Sequence, residues 1–307
     1  MVPKMKVRRL GFVKIAKDVW ERFLEDNPML YAASIAFYTI FSLPATLLII
    51  VAVAGRFFAQ DAVTGELYEQ IRDFVGSKSA LEIQRILENA SQSSSGTIAT
   101  IVGVATLMFS ATTVFVSIQS ALNAIWKVKP QPQRGYVKFI IDRLLSFALV
   151  ITLGFLMMVS LLLDTILALF KDFLTVIFSG VTYYVMETIN LAISFLVISF
   201  IFAMILKFLP DAKTKWGDVR LGAIVTTILF VIGKYLIRFY LNNSNFESTY
   251  GAAGSFVVIL IWVYYSAIIL LIGAEFTLAY AKHKGRTIQP TKNAIKIEYK
   301  EVNSGQG

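Results

Sequence analysis

Six long apolar stretches divide this chain and constrain its fold more than any other feature. They run over residues 30–58, 97–124, 144–170, 188–209, 221–241 and 254–281. Each approaches or exceeds the roughly 20 apolar residues that an α-helix needs to cross a bilayer. Because hydrocarbon offers the peptide backbone no hydrogen-bond partners, such segments are expected to be helical. The sequence therefore predicts an all-α, polytopic membrane bundle of six transmembrane helices over residues 30–281.

Positive charges gather in alternate gaps between these stretches. Of the 29 Lys and Arg residues, 22 lie in residues 1–28, 127–143, 207–220 and 282–300. This alternation is the positive-inside pattern, and it predicts that both termini are cytoplasmic. The formal net charge of +9 then reflects topology and attraction to anionic lipid headgroups. We expect membrane lipids as partners and no nucleic acid.

The segments outside the stretches have patterns of their own. Residues 1–29 predict a basic amphipathic helix that either lies along the cytoplasmic membrane surface or packs against the bundle. Residues 59–96 predict two short amphipathic helices on the extracytoplasmic side, separated at Gly76. The basic tail, residues 282–307, is expected to be cytoplasmic and disordered.

The first two stretches contain features that affect helix packing. Ser42 and Pro44 mark a predicted kink or break in the first stretch, because proline removes a backbone donor. Broken spans often surround transport sites, although membrane helices also tolerate proline. In the second stretch, small residues that let helices approach closely recur on one stripe: Thr106, Ser110, Thr113, Ser117, Ser120 and Ala124. We favour packing as the role of this stripe, with a polar conduit as the alternative.

Ionisable residues at the spans are the strongest functional signal, because burying charge in lipid is expensive. Five of them are candidate substrate-binding residues: Arg56, Asp164, Lys234, Arg238 and Glu275. Helical rise places Glu275 roughly 9 Å, and Lys234 roughly 20 Å, from the cytoplasmic end of their spans. An outer cluster of Arg56, Lys234 and Arg238 would suit a phosphate or carboxylate headgroup. Alternatively, Arg56 and Arg238 extend to the interface and Lys234 pairs with an acid.

Enzyme and cofactor signatures are absent from the sequence. It contains no cysteine, and His283 is the only histidine, which argues against a histidine-rich or thiolate metal site. Neither a P-loop nor a nucleophile-elbow motif occurs. We therefore expect no catalytic residues, no metal, no cofactor and no direct use of ATP, and we expect that the protein is not an enzyme.

Several short motifs together resemble the YihY/BrkB family of bacterial inner-membrane proteins. They are AASIAFYT and SLP (residues 32–39 and 42–44), QSALNAIW (119–126), LP (209–210), YGAAGS (250–255), and WVYYS with GAEF (262–266 and 273–276). The resemblance implies a six-helix protein of the bacterial inner membrane. Members of the family have been labelled ribonuclease BN, or associated with serum resistance or with export of lipopolysaccharide-type lipids. No nuclease constellation accompanies the motifs here, and the family supplies no binding residues to transfer.

Together these features favour an integral membrane transporter or flippase for a lipid or other amphiphilic anion, not driven by ATP on its own. The alternative is a non-transporting membrane scaffold or envelope-integrity factor whose intramembrane charges are structural pairs. A membrane-embedded hydrolase or nuclease is a third reading. Further copies of the chain, or other membrane proteins, are candidate partners within the membrane.

Overall fold

The fold is an α-helical bundle with two short β ladders at one end. The computed structural model describes residues 4–54, 64–65, 67–69, 71–72, 76–91, 97–131, 135–149, 151–152, 155, 181–243 and 253–298. Five helices in these ranges are long and apolar enough to cross a membrane, over Pro28–Val51, Met108–Ile125, Leu191–Phe208, Trp216–Ile237 and Phe256–His283. The predicted all-α, multi-pass architecture is confirmed. Most of the predicted third span, 144–170, lies outside the described residues.

Seven helices have defined bounds, and they pack in a simple order. They are α1 Lys4–Glu25, α2 Pro28–Ala54, α3 Ser77–Ser91, α4 Thr97–Ile125, α5 Val181–Phe208, α6 Trp216–Asn243 and α7 Ala253–His283. Residues 135–149 form a further helical segment. Helix α4 packs on α2, α2 on α7, α7 on α6, and α6 on α5. Helix α7 is therefore central, and the buried core runs along it.

Helix α1 packs against the bundle rather than standing apart from it. Its residues Ile15 and Val19 form a small core with Phe276 and Ala279 of α7. This contact supports the second of the two predicted roles, a helix packed on the bundle. Other apolar residues of α1 remain exposed, as in the case of Trp20 at 64%. Helix α1 therefore presents one apolar face to α7 and a separate one to its surroundings.

Of the predicted kink or break at Pro44, the structure shows no break, because helix α2 continues through this residue; the kink stays a prediction. Proline leaves a carbonyl one turn earlier without its usual backbone donor. Membrane helices tolerate this where hydroxyl groups and neighbouring helices approach the backbone. Here Ser42 Oγ donates to Thr39 O at 3.2 Å, and Ser110 Oγ of α4 donates to Phe41 O at 3.3 Å. Ser117 Oγ also lies 3.4 Å from Ser34 Oγ. These contacts support packing as the role of the small-residue stripe.

The segment 59–96 contributes to the core. Its described part includes α3, which packs against α2 and α7. Leu67 and Ile83 join the main buried cluster. Gly76, with φ of 83°, occupies the left-handed region directly before α3 begins, a conformation that glycine adopts without strain. The predicted helix after Gly76 is therefore present, and it is partly buried.

The tail after α7 is ordered through residue 298, so the structure differs from the predicted disorder. Strand β1 (Val128–Pro130) pairs antiparallel with β4 (Ala294–Lys296), and β2 (Ala212–Lys213) pairs antiparallel with β3 (Gln289–Pro290). The tail thus binds the turns that follow α4 and α5. Residues 299–307 lie outside the described ranges.

The basic gaps meet at one end of the bundle, which we call the basic end. The two ladders and the backbone hydrogen bonds that flank them join residues 127–131, 211–213 and 289–297. Lys127 pairs with Asp26, at the turn between α1 and α2. The charges therefore gather on one side of the bundle, as the alternation in the sequence predicts. Helices α2 and α6 begin at this end, and α4, α5 and α7 end there.

Candidate functional site

Glu275 is the most deeply buried acid in the described part of the bundle. It lies in α7 with 0% of its surface exposed. Neither of its carboxyl oxygens has a hydrogen bond of good geometry, and the neighbouring Asp26 carboxyl group can bond to Glu275 only if one of the two acids is protonated. The charged side chains that face it are Asp26, Arg22 and Lys127. Because a buried polar group without a partner is costly, this position calls for an explanation beyond packing.

A close helix crossing fixes the segment of α7 that carries Glu275. Thr277 Oγ1 donates to Gly273 O at 2.8 Å, and Thr226 Oγ1 donates to Gly222 O at 2.9 Å. A Cβ atom on Gly222 would lie 2.0 Å from Thr277 Oγ1, and one on Gly273 would lie 1.8 Å from Thr226 Oγ1. The two Gly-x-x-x-Thr motifs therefore bring the backbones of α6 and α7 into direct contact, as small residues do in membrane helices.

The turn after α4 is anchored to the same part of α7. Trp126 is 1% exposed, and its Nε1 donates to Ala274 O at 3.1 Å. Lys127 adopts a positive φ of 54° and pairs with Asp26. A left-handed residue directly after a helix is a common helix stop. This geometry places the Lys127–Asp26 pair beside Glu275.

A second polar cluster is buried at the basic end, between α4, the segment 135–149 and the turn after α5. Asp211 accepts hydrogen bonds from Asn123 Nδ2 at 2.8 Å, Gln119 Nε2 at 3.2 Å and Lys138 Nζ at 2.7 Å. Lys138 also donates to Asp142 at 2.7 Å. Burial lowers the pKa of Lys138, but the two carboxylates outweigh it and hold that pKa above its ordinary value. Because these charges are paired and hydrogen-bonded, the cost of burying them is offset, and loss of one partner would leave the other uncompensated.

Arg143 extends away from that cluster toward the middle of α4. Its Nη1 donates to Phe109 O at 3.1 Å, Thr112 Oγ1 at 2.7 Å and Thr113 Oγ1 at 3.2 Å. These partners lie roughly 18–24 Å from the end of α4 at Ile125, at about 1.5 Å of rise per residue. Within the described ranges no acidic side chain pairs with Arg143.

The structure separates the predicted site residues that it describes. Gly233, next to Lys234, contacts Tyr265 of α7, and Glu275 lies ten residues, or roughly 15 Å, further along that helix. Lys234 and Glu275 therefore occupy different levels of the bundle. Arg56 and Asp164 lie outside the described residues, as does the side chain of Arg238. The predicted outer cation cluster stays a prediction.

Arg143 and the Asp211 cluster were missed because their positions in the sequence suggested loops. Lys138, Asp142 and Ser146 recur at helical spacing and face inward, whereas the apolar residues between them are exposed, namely Phe139, Ile140, Ile141, Leu144 and Leu145. A polar stripe within an otherwise apolar helix was the available signal. In the part of the chain that the structure describes, no three His, Cys, Asp or Glu side chains come together as a metal-ligand set.

The fold and its buried charges define a multi-pass α-helical membrane protein. The family model described as Virulence factor BrkB matches residues 19–298. The chain belongs to this family, which confirms the resemblance seen in its motifs.

Two of the relatives that match are themselves named only as membrane proteins. A UPF0761 membrane protein of Xanthomonas axonopodis pv. citri is 27% identical over 273 residues, which cover 87% of this chain and 61% of the relative. Another, from Alkalilimnicola ehrlichii, is 26% identical over 287 residues, which cover 91% and 61%. The chain therefore spans about three fifths of the length of these curated relatives. No solved structure matches it.

Proposed function

We propose that the protein is a transporter or flippase for a lipid or other amphiphilic anion in the bacterial inner membrane, with the basic end facing the cytoplasm. The observation that carries this proposal is Glu275, a fully buried acid in a membrane-spanning helix whose carboxyl oxygens lack a hydrogen bond of good geometry. An ionisable group of this kind marks a functional site by default, because its burial is expensive. The buried acid supports a conformational change of α7 during transport, in which Glu275 gains a partner in a second state of the protein.

The choice of an anionic substrate rests on the charge distribution. Of the 29 Lys and Arg residues, 22 lie in the four gaps of the basic end, which attracts anionic headgroups to that side of the membrane. No ATP-binding motif was found in the sequence, so we infer that the protein does not use ATP itself. We propose transport and not catalysis as the activity of the protein.

The test is lipid translocation in proteoliposomes that contain the purified protein and fluorescent anionic lipids. We expect protein-dependent translocation that Glu275→Gln abolishes and Lys234→Ala weakens. Glu21→Gln is the matched control, since Glu21 is exposed on α1 and, among the described residues, pairs with its neighbour Lys17 alone. Absence of translocation by the folded protein across several anionic lipids would contradict the proposal.

A static scaffold is the second candidate function, and one observation favours it. Three mostly buried acids at the basic end are each paired with a cation: Asp211 with Lys138, Asp26 with Lys127, and Asp218 with Arg286. Together with the two β ladders, these pairs fasten the helix ends to one another. Failure of the translocation test would therefore favour the scaffold.

A further inference from the structure

The helical segment 135–149 is polar on the inside and apolar on the outside. Ser146 is completely buried, and its Oγ has no hydrogen-bond partner. By contrast, Phe139, Ile140 and Leu144 are each more than half exposed. In a protein surrounded by water this arrangement would be unfavourable, but in a bilayer the exposed face contacts acyl chains. A polar seam therefore lies between this segment and α4, next to lipid.

Arg143 places a positive charge in that seam, and no acidic side chain among the described residues pairs with it. Its three hydrogen-bond acceptors, on Phe109, Thr112 and Thr113, are all neutral. Its Nε is buried and has no partner. Ser146, with its unpartnered hydroxyl, lies one turn further on the same helix, where residues three apart share a face. The seam thus offers spare donors around an unneutralised guanidinium, which suits an oxyanion.

Two aromatic rings border this guanidinium on the lipid-facing side. The Arg143 guanidinium carbon lies 4.2 Å from the centroid of the Phe109 ring and 5.3 Å from that of Phe139. The two residues are 56% and 54% exposed. A ligand whose charged group reaches Arg143 would therefore lay its apolar part on these rings. That combination describes an amphiphile with an anionic headgroup.

We propose that Arg143, framed by Phe109 and Phe139, binds the phosphate or carboxylate headgroup of an anionic membrane lipid within the bundle. This inference rests on the proposed function, and it names residues that hold the substrate class. Arg143 hydrogen-bonds to the middle of α4 rather than to its end, so the site lies away from the exposed charges of the basic end.

The test measures binding of dioleoyl phosphatidylglycerol and dioleoyl phosphatidylcholine to the full chain in detergent, by native mass spectrometry. Arg143→Gln should weaken phosphatidylglycerol binding about tenfold or more, since a charge-assisted hydrogen-bond pair is lost. Arg220→Gln is the matched control, because it removes the same charge from an exposed position of α6. It should change binding by less than about twofold, as expected for a solvent-exposed charge. Equal effects of the two variants would overturn the proposal.

Further arms identify the ligand and guard against misfolding. Inorganic phosphate alone should not displace the lipid at equal concentration; displacement that depends on Arg143 would reassign the site to free anions. If Arg143→Gln does not fold, Arg143→Lys and Phe109→Ala take its place, and both should weaken phosphatidylglycerol binding several-fold. Unchanged binding in both would overturn the proposal.

The outcome also separates this inference from the proposed function. Arg143-dependent binding without translocation would contradict only transport. Translocation with Arg143-independent binding would contradict only the headgroup site.

Discussion

The direct contact between α6 and α7 predicts a strong response to a single added methyl group. A Cβ on Gly222 would lie 2.0 Å from Thr277 Oγ1 and 2.7 Å from Gly273 O. The hydroxyl can rotate away, but the carbonyl belongs to the backbone of α7 and cannot. To restore an ordinary contact of 3.4 Å, the helices must separate by roughly 0.7 Å, a gap at which facing atoms lose a quarter to a half of their attraction.

These effects allow an estimate of the change in the free energy of unfolding for Gly222→Ala. Overpacking costs about 1–3 kcal/mol. Rotation of Thr277 also removes its hydrogen bond to Gly273 O, worth about 0.5–1.5 kcal/mol. The better helix propensity of alanine returns about 1 kcal/mol. We therefore expect a net destabilisation of about 1–3 kcal/mol.

Gly217→Ala on the same helix is the control, because a Cβ there would meet nothing within 4 Å. This variant should leave stability unchanged or raise it by up to about 1 kcal/mol. The assay is unfolding of the detergent-solubilised protein in an SDS titration, followed by far-UV circular dichroism. Adding Thr277→Ala to Gly222→Ala should recover part of the loss, since it removes the closer of the two contacts. Equal midpoints for Gly222→Ala and Gly217→Ala would refute the direct contact.

The same titration checks three further expectations. Trp126→Phe keeps the ring buried but removes the donor to Ala274 O, so it should cost about 0.5–1.5 kcal/mol; an unchanged midpoint would argue against that bond. Asp211→Asn weakens the pairing with Lys138 and turns an amide N–H toward groups that are themselves donors, so the free energy of unfolding should fall by about 1–3 kcal/mol. Full stability would contradict the buried cluster. Glu275→Met removes an acid that lacks a hydrogen bond of good geometry and should be neutral or stabilising, by up to about 3 kcal/mol, while translocation is lost. Marked destabilisation by Glu275→Met would indicate a structural role instead.

The sequence predicted the five described spans well because their signal is local. Length and apolar content alone identify a segment such as 254–281, and the structure places α7 over Ala253–His283. The alternation of charge predicted which gaps lie together, since insertion of each helix reverses the direction of the chain. Both features depend on residues that are near one another in sequence.

The remaining features depend on contacts between distant segments. Strands β3 and β4 are two and three residues long, too short for a periodic signal, and their partners lie far away in the chain. Arg143 looked like a loop residue because it lies in a basic gap between two apolar stretches. Its position in the sequence does not reveal that its side chain reaches α4. Glu275 was predicted to be a site residue. Its neighbours Asp26 and Lys127 were not predicted, because they come from two gaps that are distant from it in the sequence.

The β ladders at the basic end also bear on the order of assembly. Strands β3 and β4 follow α7, whereas their partners follow α5 and α4. The ladders can therefore form only after every helix from α1 to α7 has been synthesised, and each closes a long loop at an entropic cost that earlier contacts must reduce. Until then the ends of α4 and α5 lack these links to the tail. A ribosome stalled before residue 289 would leave a protein with inserted helices and an unfastened basic end.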